Sequence, residues 1–445
     1  MSRRAPSFSM SVATTLASRW LVLAFTIASG IVVARSLGPD QKGVYVLTFL
    51  LLGQTLAVGS FGVPHALVYF LSSSRITRAE AAGHFLLMSA AAAVLLIVPY
   101  AVIAVVGADR LFKGVEPATL LALAVLILPA LATANAAGVL RGLGRLDLFN
   151  LLRLVDAMLA FGLLFLALVV LGAGLRGAVI AGAVATMLSG TVAVALVLGA
   201  VGTRPSVSIA SMPAAVRFGL RSYLTVLLQV TERKLDLFLL AWFLPIETAA
   251  WQIGVYTTAV ALAELPRTVS AAVSTVLLPR LAGADARTSA RTVPLVSRHL
   301  MALNLAFGAV LVAAGHPLIR FLYGPSFLPA YVPFLLLLPG VVMAGAWNVF
   351  EAEMVGRGRP LRLSMFSGVT LALNVALNLV AIPRWGIVGA ALTSGFTYGL
   401  LGFCLVLDYR ARNRAVSLRD LLLVSPGELA RRMPSSWRLS QGTVR

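Results

Sequence analysis

The amino-acid sequence predicts an all-α, polytopic membrane protein of about twelve transmembrane helices, arranged as two six-helix lobes. Three observations predict it: long apolar blocks, the placement of the basic residues, and an internal repeat. The 445 residues are 59% hydrophobic and only 12% charged, about half the charged fraction of an ordinary soluble domain. About twenty apolar residues cross a bilayer core as a helix, and such blocks recur along nearly the whole chain. A soluble chain of this length would divide into about three domains. No polar linker long enough to separate them is present, which favours one continuous bundle.

In order, the spans fall at 12–34, 44–70, 82–107, 118–140, 148–172, 177–201, 218–243, 250–279, 300–319, 329–354, 364–383 and 385–408. The first follows the basic start Met1-Ser2-Arg3-Arg4. It is too long for a signal-peptide core and no small-residue cleavage site follows, so it reads as a retained helix. The single cysteine, Cys404, cannot form an intrachain disulfide and is too isolated for a metal site.

The basic residues test this order. With the N-terminus inside, the segments 1–11, 71–81, 141–147, 202–217, 280–299, 355–363 and the tail from 409, together with Arg221, carry 24 of the 36 Lys and Arg residues. The opposite loops carry seven: Arg35, Lys42, Arg110, Lys113, Arg176, Arg320 and Arg384. A bias of about three to one is what the positive-inside rule requires of a correct orientation. The expected setting is a bacterial inner membrane with both termini cytoplasmic; Arg greatly outnumbers Lys, as in GC-rich genomes. The net charge of +20 is spread over loops, not gathered in one basic domain. That excludes a nucleic-acid binder and makes membrane lipids, through their anionic headgroups, the natural partner.

Three short matches link the halves. Leu37-Gly38-Pro39 and Gly43-Val44-Tyr45 match Leu244-Pro245 and Gly254-Val255-Tyr256. Gly142-Leu143-Gly144-Arg145 matches Gly356-Arg357-Gly358-Arg359, and Gly177-Ala178-Val179-Ile180-Ala181-Gly182-Ala183 matches Gly386-Ile387-Val388-Gly389-Ala390. The offsets are near 211, 214 and 209, in the same order. Six spans return to the same side, so the halves are parallel repeats, and transporters of this design bind substrate between them and alternate access. The expected organisation is one lobe at 1–201, a cytoplasmic linker at 202–217, a second lobe at 218–408 and a basic cytoplasmic tail at 409–445.

These residues also carry a family resemblance. Ala34-Arg35-Ser36-Leu37-Gly38-Pro39 with Gly43-Val44-Tyr45 resembles the first-loop motif of polysaccharide flippases of the multidrug/oligosaccharidyl-lipid/polysaccharide exporter superfamily, which are MATE-like. Arg217-Phe218-Gly219-Leu220 with Leu235-Asp236 resembles the start of that family's second half. Asn374, Asn378 and Ile382-Pro383-Arg384-Trp385-Gly386-Ile387-Val388-Gly389-Ala390-Ala391 resemble its eleventh and twelfth helices. The likeness covers about residues 10 to 408. It implies a lipid-diphosphate-linked oligosaccharide as substrate and polysaccharide-assembly enzymes as partners. Related lipid II flippases use arginines on helices one and eight, which points to Arg19 and Arg267.

A charge at bilayer depth costs at least a few kcal/mol and normally faces a cavity or a partner. Span seven carries Glu232, Arg233, Lys234 and Asp236. At 100° per residue Glu232 and Asp236 lie about 40° apart and Arg233 about 60° from Asp236, whereas Lys234 points elsewhere. Span eight carries Glu264 and Arg267 on one face, with Pro266 between them to interrupt the helix. Span five carries Arg153 and Asp156 with the same spacing, and Arg19 lies in span one. Each group reads either as cavity lining or as a self-neutralised cluster that packs the lobes; Arg19 and Arg153 can also snorkel to headgroups. The chemical expectation is that Arg19, Arg153, Arg233 and Arg267 bind the substrate diphosphate by bidentate hydrogen bonds. Asp156, Glu232, Asp236 and Glu264 are expected to bind a coupling H⁺ or Na⁺ or to lock the arginines; no other cofactor is expected. Of Glu351 and Glu353 at most one reaches a cavity, and His65, His84, His299 and His316 show no ligand spacing.

No nucleoside-phosphate loop and no nucleophile–base pair is recognisable, so an enzyme is not expected. A polysaccharide polymerase or ligase would need a large outer loop, and the longest, near 107–118, is too short. A multidrug exporter shares the architecture and remains the alternative; lipid II flippases usually carry two further helices. The tail mixes Leu with Arg from 418 to 433 and reads as a surface-lying or disordered segment broken by Pro426.

Overall fold

The computed structural model describes residues 8–208, 212–268, 270–271, 286–413 and 416–422, and among them there is helix and no strand. Hydrocarbon offers a backbone amide no hydrogen-bond partner, and a helix satisfies its own. In chain order the helices are α1 (Phe8–Gly59), α2 (Val63–Ser72), α3 (Arg78–Val106), α4 (Ala108–Leu111), α5 (Pro117–Ala122), α6 (Ile127–Gly142), α7 (Leu146–Phe165), α8 (Gly174–Val201), α9 (Met212–Phe243), α10 (Ile246–Ala263), α11 (Ala286–Leu322), α12 (Tyr331–Gly356), α13 (Pro360–Arg412) and α14 (Leu418–Leu422).

The helices are apolar on all sides, not along one stripe. On α3, Ala92, Leu96, Tyr100 and Ala104 are buried, while Val94, Val98, Val102 and Val105 project outward. Water would not tolerate a valine ridge of that kind, whereas lipid tails do. The inward face is rich in alanine, which lets helices approach closely without a hydrophobic driving force between them.

Helices α1 and α13, at 52 and 53 residues, are too long for one crossing; at 1.5 Å per residue each would run about 80 Å against a hydrocarbon core of about 30 Å. Each reverses at a glycine with positive φ, Gly38 (φ 70°, followed by Pro39) and Gly386 (φ 54°). Helices α1 and α13 therefore each cross twice, and among the described residues eight helices, these two included, are long and apolar enough to cross a membrane. The loop expected between the first two spans shrinks to the Gly38 reversal. The eighth span breaks early: α10 ends at Ala263, Glu264 forms a turn, and residues 265–268 resume the helix. Pro266 accounts for the break, since it supplies no N–H. Residues 272–279 of that span, and 280–285 of the following segment, lie outside the described residues, as do 1–7, 209–211 and 423–445.

The repeat is written into the backbone. Gly144 and Gly358, 214 residues apart, have φ of 71° and 72°. Leu143, Gly144 and Arg145 donate to the carbonyls of Val139, Arg141 and Leu140; Arg357, Gly358 and Arg359 donate in the same pattern to those of Glu353, Val355 and Met354. Both are glycine-ended helix C-caps. The halves also meet symmetrically. A Cβ on Gly43 would overlap the carbonyl of Ala250, and one on Gly254 would overlap the carbonyl of Pro39. With an offset of 211, Pro39 corresponds to Ala250 and Gly43 to Gly254, so the contact is the same patch meeting itself about a pseudo-dyad.

Basic side chains that charge counting assigns to loops complete this contact. Lys42 is 6% exposed, donates to the Gly254 carbonyl and to Thr258 Oγ1, and lies over the rings of Tyr323 and Phe327. Lys113 donates to the Leu244 carbonyl, and Arg35 to those of Phe321 and Leu322. One apolar core therefore runs through both halves at the Gly38 end. At the end carrying the termini each half has its own core, one around Phe85 and Leu140, the other around Trp347 and Phe350. A smaller contact there sets Gly62 against Gly219.

At that end of the second half, Glu353 is buried and bridged by Arg357 (2.5 Å) and Arg412 (3.1 Å), and Asp408 by Arg412 (2.8 Å) and Arg362 (2.5 Å). Helix α13 runs on to Arg412, and α14 docks on α11, with Leu421 buried and the Ser297 hydroxyl donating to its carbonyl. Ser417 caps α14 through its hydroxyl and backbone N–H, which holds the Asp420 carboxyl below the usual carboxylate range.

Two outcomes are expected. Gly43→Val or Gly254→Val overpacks the lobe contact and costs about 1–3 kcal/mol, seen as a lower unfolding temperature in detergent, whereas Gly199→Val, which faces open space, leaves it unchanged. Arg412→Ala strips two buried carboxylates of a shared partner and costs about 3–5 kcal/mol in the same measurement.

Candidate functional site

Helix α9 crosses with Glu232 and Asp236 buried on one face, as their four-residue spacing predicts. Asp236 is 2% exposed and sits in a cage of neutral donors: Tyr256 Oη from α10 (2.7 Å), Ser394 Oγ (2.6 Å) and Asn378 Nδ2 (3.1 Å), both from α13. Asn374 extends the network to Ser394 and Thr397, and its Oδ1 accepts from Asn378. Thr393 donates to Asn378 Oδ1. Among the described residues no basic side chain forms an ion pair with Asp236, and its hydrogen bonds come from those three donors. A buried carboxylate without a counter-charge is expensive, and three hydrogen bonds offset part of that cost.

Beside the cage lies a mixed-charge cluster. Arg267 pairs with Glu264 at 3.3 Å, so the spacing across Pro266 does bring them together. Arg233 on α9 is accessible, donates to its own Gln229 carbonyl, and interacts electrostatically with Arg267, Glu264 and Glu351. Glu232 interacts with Asp236, Arg233, Arg267 and Glu351, and its Oε1 has no hydrogen-bond partner. Lys234, which the helical wheel sets aside, is within electrostatic range of Glu264. A cavity of about 10 Å³ is lined by Arg233, Asp236, Tyr256, Glu264 and Tyr398 among others, roughly the space of one water molecule or one small ion.

The first half carries a different arrangement. Arg19 on α1 and Arg141 on α6 both interact with Arg153 on α7, and His65 on α2 interacts with Arg141. Arg141 also lies over the Phe149 ring (5.4 Å). Asp156 is exposed on α7 and makes no ion pair with Arg153, so the pairing suggested by their spacing is not formed.

The structure thus brings Glu232, Arg233, Asp236, Glu264 and Arg267 into one cluster and Arg19 with Arg153 into another, and leaves Asp156 apart. Sequence reasoning misses Arg141, which it assigns to a loop, and the buried hydroxyls of Tyr256, Ser394 and Tyr398. Of the two glutamates of α12, Glu351 joins the cluster and Glu353 the ion network at the bundle end. Asn374 and Asn378, which the sequence marks through the family resemblance, both belong to the network around Asp236.

A family model described as polysaccharide biosynthesis protein matches residues 32–332. No curated protein matches the sequence. Among solved structures the chain is similar to the lipid II flippase MurJ in an inward closed conformation, with a TM-score of 0.73, 14% identity, and coverage of 93% of this chain and 89% of that one. It is similar to an inward-facing multidrug resistance MATE family transporter of the MOP superfamily, with a TM-score of 0.70, 16% identity, and 91% and 98% covered. An outward-facing MATE family transporter gives 0.62 at 17% identity, with 91% and 96% covered. At these identities the likeness is one of fold.

Asp236→Ala leaves three buried donors without their acceptor and is expected to cost about 1–3 kcal/mol for each group left unsatisfied. Asp236→Asn, which keeps the shape and one acceptor oxygen, costs less; thermal unfolding of the two variants side by side checks the order.

Proposed function

The chain belongs to the polysaccharide biosynthesis protein family and has the multi-pass fold of MOP-superfamily transporters, and from that premise we propose that it is a flippase. Its substrate is a polyprenyl-diphosphate-linked oligosaccharide, moved across the bacterial inner membrane for surface polysaccharide export. Both termini are cytoplasmic, and polysaccharide-assembly enzymes take the product on the other side.

The observation that carries this reading is the arginine cluster of the first half. Arg19 on α1 and Arg141 on α6 both stand close enough to Arg153 on α7 to feel its charge, which gathers three guanidinium groups from three helices. Like charges held together repel, and a diphosphate relieves that repulsion while accepting bidentate guanidinium hydrogen bonds. The headgroup cannot cross hydrocarbon unaided; its prenyl tail stays in lipid. Access alternates as the halves separate at one end and close at the other. The glycine contact at Gly43 and Gly254 closes the end opposite the termini, and Gly62 against Gly219 joins the halves at the other end, so opening to either side parts one contact while the other holds.

The second half supplies coupling. Asp236 and Glu264, with the hydroxyls of Tyr256 and Tyr398, line a space of one small ion, and Asn378 and Ser394 hold the Asp236 carboxylate from behind. A proton on Asp236, or a Na⁺ beside it, neutralises the one buried carboxylate of the cage. The Arg233, Arg267, Glu232, Glu264 and Glu351 cluster rearranges as that charge changes. Glu232 and Glu264 release Arg233 and Arg267 to the diphosphate in this step.

A deletion strain should accumulate single lipid-linked repeat units in the inner leaflet and lose surface polymer, and the wild-type gene should restore it. Arg141→Ala with Arg153→Ala should lower the restored polymer more than tenfold, since each lost charge-assisted pair is worth about 1.5–3 kcal/mol. Unchanged glycolipids in the deletion strain, with altered drug sensitivity, would replace this reading by small-molecule efflux.

A further inference from the structure

A groove in the first half takes no part in the transport reading and does not depend on it. It lies between α1 beyond its kink, the 117–126 segment and α8, and holds about 420 Å³. Leu123 and Leu126 form its buried floor. Val125, Ile180 and Met187 form its rim and are 59%, 63% and 41% exposed, so the groove opens sideways into lipid, not into a space between the halves.

Its two charged lining residues are Arg176 and Glu116, at one end. Glu116 immediately precedes α5 and Arg176 stands two residues inside α8, so both lie at the border of the membrane on the face of the Gly38 reversal. Both are exposed, and neither side chain forms an ion pair or hydrogen bond among the described residues. From Arg176 to Met187 the groove follows α8 for eleven residues, about 16 Å at 1.5 Å per residue. That is about half of a 30 Å hydrocarbon core, the depth of a single leaflet.

We propose that this groove is a binding site for one zwitterionic phospholipid of the leaflet opposite the termini. One acyl chain lies along α8, the phosphate meets Arg176, and the headgroup ammonium meets Glu116. The pair of opposite charges selects a phosphoethanolamine head over a purely anionic one. The one-leaflet length selects an acyl chain over a polyprenyl chain, which is several times longer.

The full-length protein, purified in mild detergent, is incubated with equal amounts of phosphatidylethanolamine and phosphatidylglycerol carrying identical acyl chains, and the lipid retained after washing is counted by native mass spectrometry. One phosphatidylethanolamine per chain is expected. Ala183→Trp, which fills the groove, should abolish retention, while Val105→Trp on the lipid face of α3 should not. Arg176→Gln should weaken retention about tenfold, the value of one charge-assisted contact, and Glu116→Gln should shift the preference towards phosphatidylglycerol; both sit at the surface and leave the fold intact. Retention undiminished in Ala183→Trp and Arg176→Gln would overturn the proposal. So would preferential retention of phosphatidylglycerol by the unmodified protein, or displacement of the bound lipid by equimolar polyprenyl phosphate.

Discussion

Two glycines set how closely the halves approach, and most of the architecture depends on that distance. Gly43 lies against the Ala250 carbonyl and Gly254 against that of Pro39. A methyl group at either place would hold the backbones apart. Because the two contacts are related by the repeat offset, each half presents one patch and meets the other's copy of it. Closing this end brings Lys42 within reach of Gly254 and Thr258, seats it against Tyr323 and Phe327, and joins the apolar cores into one. A lysine with so little exposure is tolerable there because carbonyl, hydroxyl and aromatic faces replace its water.

The same duplication is broken where chemistry is required. Tyr256 reaches Asp236 in the second half, whereas the residue 211 places before Asp236 is Phe25, which packs on Phe161 instead. The second half thus holds a buried acid among neutral donors and a cluster of both signs; the first holds arginines that act on each other. The symmetric frame therefore carries different charge patterns in its two halves.

Charged side chains at depth divide by the partners they find. Glu353 and Asp408 are locked by three arginines and fasten α13 to α12. The Glu264–Arg267 pair is looser, partly exposed and set at a helix break. Breaking the first network would leave two buried charges stranded, so it is suited to rigidity. The second can exchange partners at lower cost, which suits a site that must change state.

The sequence by itself determined the membrane setting, the multi-pass helical fold and the repeat. All three follow from local rules: span length against bilayer thickness, helix satisfaction of the backbone, and glycine at positive φ, legible as Gly144 and Gly358 in matching motifs. It also marked Glu232, Asp236, Glu264 and Arg267, because a charge in an apolar block stands out. Only the tertiary structure decided what those charges meet. Asp236 finds Ser394 at a separation of 158 residues, Lys42 finds Gly254 at 212, and Arg141 turns from a presumed loop residue into a neighbour of Arg153. Spacing along one helix fixes which residues share a face. It cannot fix which face of another helix is brought opposite, because that depends on packing between elements far apart in the chain.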